Sequence, residues 1–203
     1  IFVKGKIEGE FVIPFDPDGN IRDDYGFSGK ILDASINISK EFNIKNLTTE
    51  ISHTKDNKAS LFNIVIKEGS LLDFELADST FLLKRQNNET DVKSLLVTSG
   101  EFNLSKVKKI SSLFNLNIRN IKDIKGTGDL RTKIDFKLNN KYKINNLIYS
   151  MEGDIPYSEL FLKEKKVIKK YLPNYNDEIK FKDSKIKLTR TKTNNTIDLN
   201  GLM

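Results

Sequence analysis

From Gly128 to Leu138 the chain reads GDLRTKIDFKL. Leu130, Thr132, Ile134, Phe136 and Leu138 share one parity, and Asp129, Arg131, Lys133, Asp135 and Lys137 share the other. Successive side chains of a strand point to opposite faces, so this stretch is a strand with one greasy and one wet face. Leu147, Tyr149, Met151, Gly153 and Ile155 alternate in the same way, as do Leu32, Ala34, Ile36 and Ile38. So do Leu72, Phe74 and Leu76, then Ile179 and Phe181, then Ile186 and Leu188. Turn-forming clusters separate these runs: DPDGN at 16–20, KDNK at 55–58, QNNET at 86–90, NNK at 139–141 and KTNN at 192–195. The spacing predicts an all-β chain, a repeated antiparallel β-meander forming a long curved sheet or open groove. Helical spacing is confined to 105–114, through Val107, Ile110, Leu113 and Phe114, and to 163–172, ahead of Pro173. One or two short helices are therefore expected.

The chain also repeats itself. DSTFLLKRQNN at 78–88 and DSKIKLTRTKTNN at 183–195 share Asp-Ser, an apolar residue, Leu, Arg and Asn-Asn in the same order. Further upstream, FNIKNLTTEI at 42–51 aligns with YKINNLIYSM at 142–151. In this reading Asp-Ser is the turn entering a strand and Asn-Asn the turn leaving it. Three units follow: 1–26 as the tail of a preceding β-unit and its turn, 27–125 as a first full unit, and 126–203 as a second. Stacked supersecondary units imply an extended array. Ile1 already lies in strand-like sequence, so the chain is expected to be a slice of a longer protein.

Composition removes several classes of chemistry. There is no Cys and a single His, so disulfides, thiolate metal sites and His-based triads are excluded. His53 lies beside a turn and is expected at the surface. Net charge is +6, but Lys and Arg are interspersed with 28 acids and form no aromatic-studded basic stripe, which argues against nucleic acid. The acids at Asp16, Asp18, Asp23 and Asp24 lack the glycine placement and final Glu of a calcium loop, and a Pro-Asp-Gly turn accounts for them. Ser79 and Ser184 have no adjacent His to activate them. No enzyme, cofactor or metal is expected, and a carbohydrate-acting enzyme is the weakest reading.

A one-sided sheet must still cover its apolar face. Helices could do it, but at most two short ones are available. The sheet could close on a second sheet, or curl into an open trough that takes an apolar ligand. Acyl chains fit a uniform wall, since they need no hydrogen-bond partners. The stretch IKDIKGTGDLRTKIDFKLNNKYKINNLIYSMEGDI at 121–155 resembles the AsmA-like family of Gram-negative envelope proteins. The resemblance implies a long β-groove and non-enzymatic carriage of phospholipid or another acyl-chain lipid between inner and outer membranes, in outer-membrane biogenesis. It also implies a periplasmic location and an inner-membrane anchor in a segment missing from this chain. The groove wall is then expected to include Ile36, Ile38, Leu47, Ile134, Phe136, Leu147, Tyr149 and Met151. The alternative is a structural or adhesive β-module with a dry, closed core and no lipid.

Overall fold

The computed structural model describes residues 3–37, 42–55, 58–113, 117–141, 143–163, 169–170, 173–174, 178–191 and 194–202. Their strands form one antiparallel sheet, all of it all-β apart from a short helix. In chain order these are β1 (Val3–Val12), β2 (Gly26–Asn37), β3 (Asn43–Lys55), β4 (Ser60–Leu71), β5 (Phe74–Leu76), β6 (Ser79–Gln86) and β7 (Glu89–Asn103). Helix α1 (Leu104–Leu113) follows, then β8 (Ile121–Leu138), β9 (Ile144–Leu162), β10 (Glu178–Arg190) and β11 (Asn195–Leu202). Neighbours in sequence are neighbours in the sheet, which makes it a repeat-like meander. β5 and β6 together fill one position between β4 and β7.

Helix α1 starts where the sequence placed it. Asn103 caps it, its Oδ1 accepting from the Lys106 N–H at 3.0 Å. The helix expected over 163–172 lies largely outside the described residues. The turn after β6 is made by Asn87 and Asn88, both at positive φ (50° and 63°). That is the conformation a two-residue hairpin needs, and Asn tolerates it.

The Asp-Ser pairs are not turns. Asp78 sits at positive φ (52°) between β5 and β6, and Asp183 does the same (46°) inside β10. Each is a bulge within the course of a strand, and each puts the following serine inward, Ser79 at 0% and Ser184 at 1% exposure. The expectation of an entering turn failed because a bulge and a turn draw on the same residue types. At Ser79 the hydroxyl oxygen accepts the Val97 N–H at 2.8 Å, restoring a ladder bond that the bulge displaces. Ser79→Ala is therefore expected to cost about 1–3 kcal/mol by stranding a buried donor. Urea unfolding would measure it, and an unchanged midpoint would mean that Val97 finds another acceptor.

Further irregularities line up with these. Asp33 in β2 and Asn46 in β3 are at positive φ, and the β8–β9 register slips between Thr127 and Asp129. Ala34 faces Leu47, Ile66 faces Ser79, Leu130 faces Gly153, and Ile155 faces Ser184. The bulges thus trace a line across the strands, and bulges bend and twist a sheet. Residues on that line are the most buried of the chain: Ala34, Leu47, Ile66 and Leu76 form one core cluster, with Ile31, Ile36, Ile44, Leu71 and Phe81 packed against it. Bending the sheet along this line buries them without an overlying layer. The sheet is creased there.

Total accessible surface reports the same architecture. It is 14061 Å2, whereas a compact protein of this mass, 23.3 kDa, would show about 9,700 Å2. A single creased layer accounts for the excess. β1 and β11 end the strand order and do not pair with each other among the described residues.

Candidate functional site: the apolar face of the sheet

Register decides which side chains share a face, because partners across a ladder point the same way. One row runs Phe11, Phe27, His53, Phe62, Leu83, Val92, Phe136 through seven successive strand positions. The next runs Ile51, Ile64, Phe81, Ser94, Ile134, Tyr149, Arg190. A third carries Thr132, Met151 and Leu188. These rows make one apolar face. The opposite parity carries most of the charge, with Leu61, Val65, Leu82 and Ile148 among it.

Of the expected wall residues, Ile134, Phe136, Leu147, Tyr149 and Met151 gather on β8 and β9, Tyr149 buried and the others half-buried. Ile36 and Leu47 lie across the sheet in the crease cluster. Ile38 lies outside the described residues. Phe81 and Leu83, which the sequence marks as the buried side of their strand, join Ile64 and Val92, which sequence reading missed, in connecting the two groups.

Polar side chains on this face turn their hydroxyls back into the sheet. Thr49 Oγ1 donates to the Val65 carbonyl at 2.8 Å, Ser94 Oγ to that of Ile134 at 3.3 Å, and Ser184 Oγ to that of Lys182 at 3.1 Å. Each hydroxyl proton is thereby used locally, and the surface left behind is mainly carbon. Aromatic packing thickens one end. Phe11 and Phe27 approach at 4.8 Å between ring centres, and His53 stacks on Phe62 at 4.1 Å. His53 is thus half-buried in an aromatic row, contrary to the expected surface position, because its parity matches Ile51 and Phe27. At Gly9 and Gly29 a β-carbon would come within 2.6 and 2.7 Å of the Phe27 ring, so the glycine pair is what lets that ring lie across it.

The polar face is a lattice of alternating charge. Glu50 takes Lys67 at 3.2 Å and Lys30 at 3.4 Å, and Lys6 pairs with Glu8. The bond from Lys67, reinforced by Lys30, holds the Glu50 carboxyl below the usual carboxylate range. Farther along, Lys125 meets Glu159 at 2.7 Å, which raises the lysine above its ordinary value. Two shallow depressions of about 620 and 550 Å3 lie on this side. Asp129, Arg131, Glu152, Asp154, Lys185 and Lys187 line the first, and Glu8, Glu10, Lys30 and Glu50 the second. In the DPDGN turn, Asp16 Oδ1 accepts the Asp18 and Asn20 N–H groups at 3.0 and 2.8 Å, so this carboxylate organises its own loop. Among the described residues no group of three or more metal-ligating side chains forms, and no helix is long and apolar enough to cross a membrane.

The geometry defines a class: an open, creased, single-layer antiparallel sheet with one apolar and one charged face. Compared with known proteins, the chain matches no family model, no curated protein and no solved structure.

Proposed function

We propose that this chain is a non-enzymatic segment of a lipid carrier. Its apolar face would hold or shield the acyl chains of phospholipid, or of another acyl-chain lipid, between membranes. The observation that carries the reading is apolar parity continuous from β1 to β10, with no second sheet over it among the described residues. A soluble protein rarely leaves so extended an apolar face to water. An acyl chain gains about 0.8 kcal/mol per buried CH2 and asks for no hydrogen bonds. The resemblance of 121–155 to AsmA-like proteins supplies the setting: the Gram-negative periplasm, an inner-membrane anchor outside this chain, and phospholipid supply to the outer membrane.

One observation favours the other reading, a structural or adhesive module with a dry core. The crease packs Ala34, Leu47, Ile66 and Leu76 against one another, side chain on side chain. The two readings part on lipid capture. Purified protein is expected to yield phospholipid on extraction and mass spectrometry. Phe136→Asp or Leu147→Lys should lower the lipid-to-protein ratio by at least about tenfold, since each places a charge on the wall. Lipid-free protein, indifferent to both substitutions, would sink the carrier reading and leave the dry module.

A further inference from the structure

We infer that the lipid is a phospholipid with an anionic headgroup, seated at one defined end of the sheet. This rests on the carrier reading and adds headgroup class and orientation to it.

Among the described residues of named strands, the register places only three charged side chains on the apolar face: Lys55, Arg85 and Arg190. None is acidic. Lys55 is the last residue of β3, Arg85 the next to last of β6 and Arg190 the last of β10. All three lie toward the end where β3 turns into β4, β6 into β7 and β10 into β11, with Lys55 and Arg85 level and Arg190 in the Phe81 row farther in. Lys55 and Arg85 share one cross-strand row, both opposite Ser60 and its neighbours. The other face carries both signs, as in the row Arg131, Glu152, Lys187, Asp198. On β3 and β6 the apolar parity ends in a cation, which complements a molecule with a hydrocarbon body and a negative head.

Dimensions agree. From Ser79 at the crease to Arg85 at the rim is about 20 Å of strand. Lys55 and Arg85 stand about 10 Å apart, two strand spacings along one row. Arg190 lies in the Phe81 row, four strand spacings over from Arg85 and four residues, about 13 Å, farther up the wall. Their partners differ. Lys55 Nζ lies 3.3 Å from Asp23 Oδ1 and 4.9 Å over the Tyr25 ring. The Arg190 guanidinium lies 6.0 Å over the Tyr149 ring. Arg85 makes no ion pair among the described residues, which makes its guanidinium the leading contact for a phosphate oxygen.

The test is competition. The protein is offered an equimolar mixture of phosphatidylglycerol and phosphatidylcholine with identical acyl chains, plus oleate, and bound lipid is read by mass spectrometry. Phosphatidylglycerol is expected to exceed phosphatidylcholine by about tenfold. Arg85→Glu should bring the ratio to about one by lowering the bound phosphatidylglycerol. Arg85→Gln, which keeps a neutral polar group at the rim, should fall between. Circular dichroism of each variant checks that the strand signal is kept. Equal capture of the two phospholipids, or a preference that survives Arg85→Glu, overturns the headgroup assignment and leaves the carrier reading standing. Capture of oleate in place of either phospholipid overturns the assignment to phospholipid. Capture of nothing overturns both readings.

Discussion

Leu76→Ala is expected to destabilise the protein by about 2–5 kcal/mol. Leu76 is 2% exposed and sits where the bulge line crosses β5, among Ala34, Leu47 and Ile66. A creased single layer has few places where a side chain is enclosed on all sides, and the crease is where they are. The cavity left there cannot be refilled by a second layer, and its neighbours are held by ladder bonds. With typical domain stability at about 5–15 kcal/mol, such a loss is a large share of the total. Leu82→Ala is the matched control. Leu82 lies on the polar parity of β6, pairs with Lys93 and is 39% exposed. Its truncation is expected to change stability by no more than about 0.5 kcal/mol. Urea midpoints of the two variants should therefore differ clearly. If they coincide, the crease is not the core of this protein.

The contrast shows what the sequence makes legible. Where one parity is greasy and the other charged, as from Leu130 to Leu138, the face assignment reads directly from the chain, and the register bears it out. Where both parities are apolar, it does not. SLFNIVI at 60–66 places Leu61 and Val65 on one side and Phe62, Ile64 and Ile66 on the other, and only pairing with β3 and β6 separates them. That is why Ile64 on β4 escaped the sequence reading while the β8–β9 part of the wall did not. Alternation also fails across a bulge, because one extra residue reverses parity. Leu47 stays on the apolar face only because Asn46 is such a residue.

The internal repeat shows a related limit. The Asp-Ser segments lie on β6 and β10, which run the same way across the sheet. FNIKNLTTEI and YKINNLIYSM begin β3 and β9, and their hairpins turn at opposite ends of the sheet. Asn46 and Asn146 nevertheless share positive φ (50° and 54°), each just inside its strand. The likeness at these two stretches is therefore one of local device, an Asn-Leu bulge after a turn, and carries no common position in the sheet. Side-chain chemistry records such devices well. Strand direction depends on how many strands intervene, which no short match records.

Gly153→Ala is expected to be strongly damaging for a single-methyl change, at about 3 kcal/mol or more. A β-carbon at Gly153 would lie 2.1 Å from the Asp129 carbonyl oxygen and 2.9 Å from Leu130 Cα. Both obstacles are backbone, and both belong to β8 directly across the ladder, so neither can move without opening the β8–β9 register. The position follows from the slip between Thr127 and Asp129, which carries β8 backbone toward β9 at the crease. Gly128 gives the opposite expectation from the same neighbourhood. Its added β-carbon would meet the Asp154 carbonyl and the Phe102 ring at 3.6 Å each, which is ordinary contact. Gly128→Ala should be neutral or gain up to about 1 kcal/mol, through lower entropy of the unfolded chain. The two substitutions add the same atom to the same face on adjacent strands and should move the urea midpoint in opposite directions, or at least by very different amounts. Equal, small effects would mean that β8 and β9 do not approach as closely at the slip as the crease requires, and the bend itself would then need another cause.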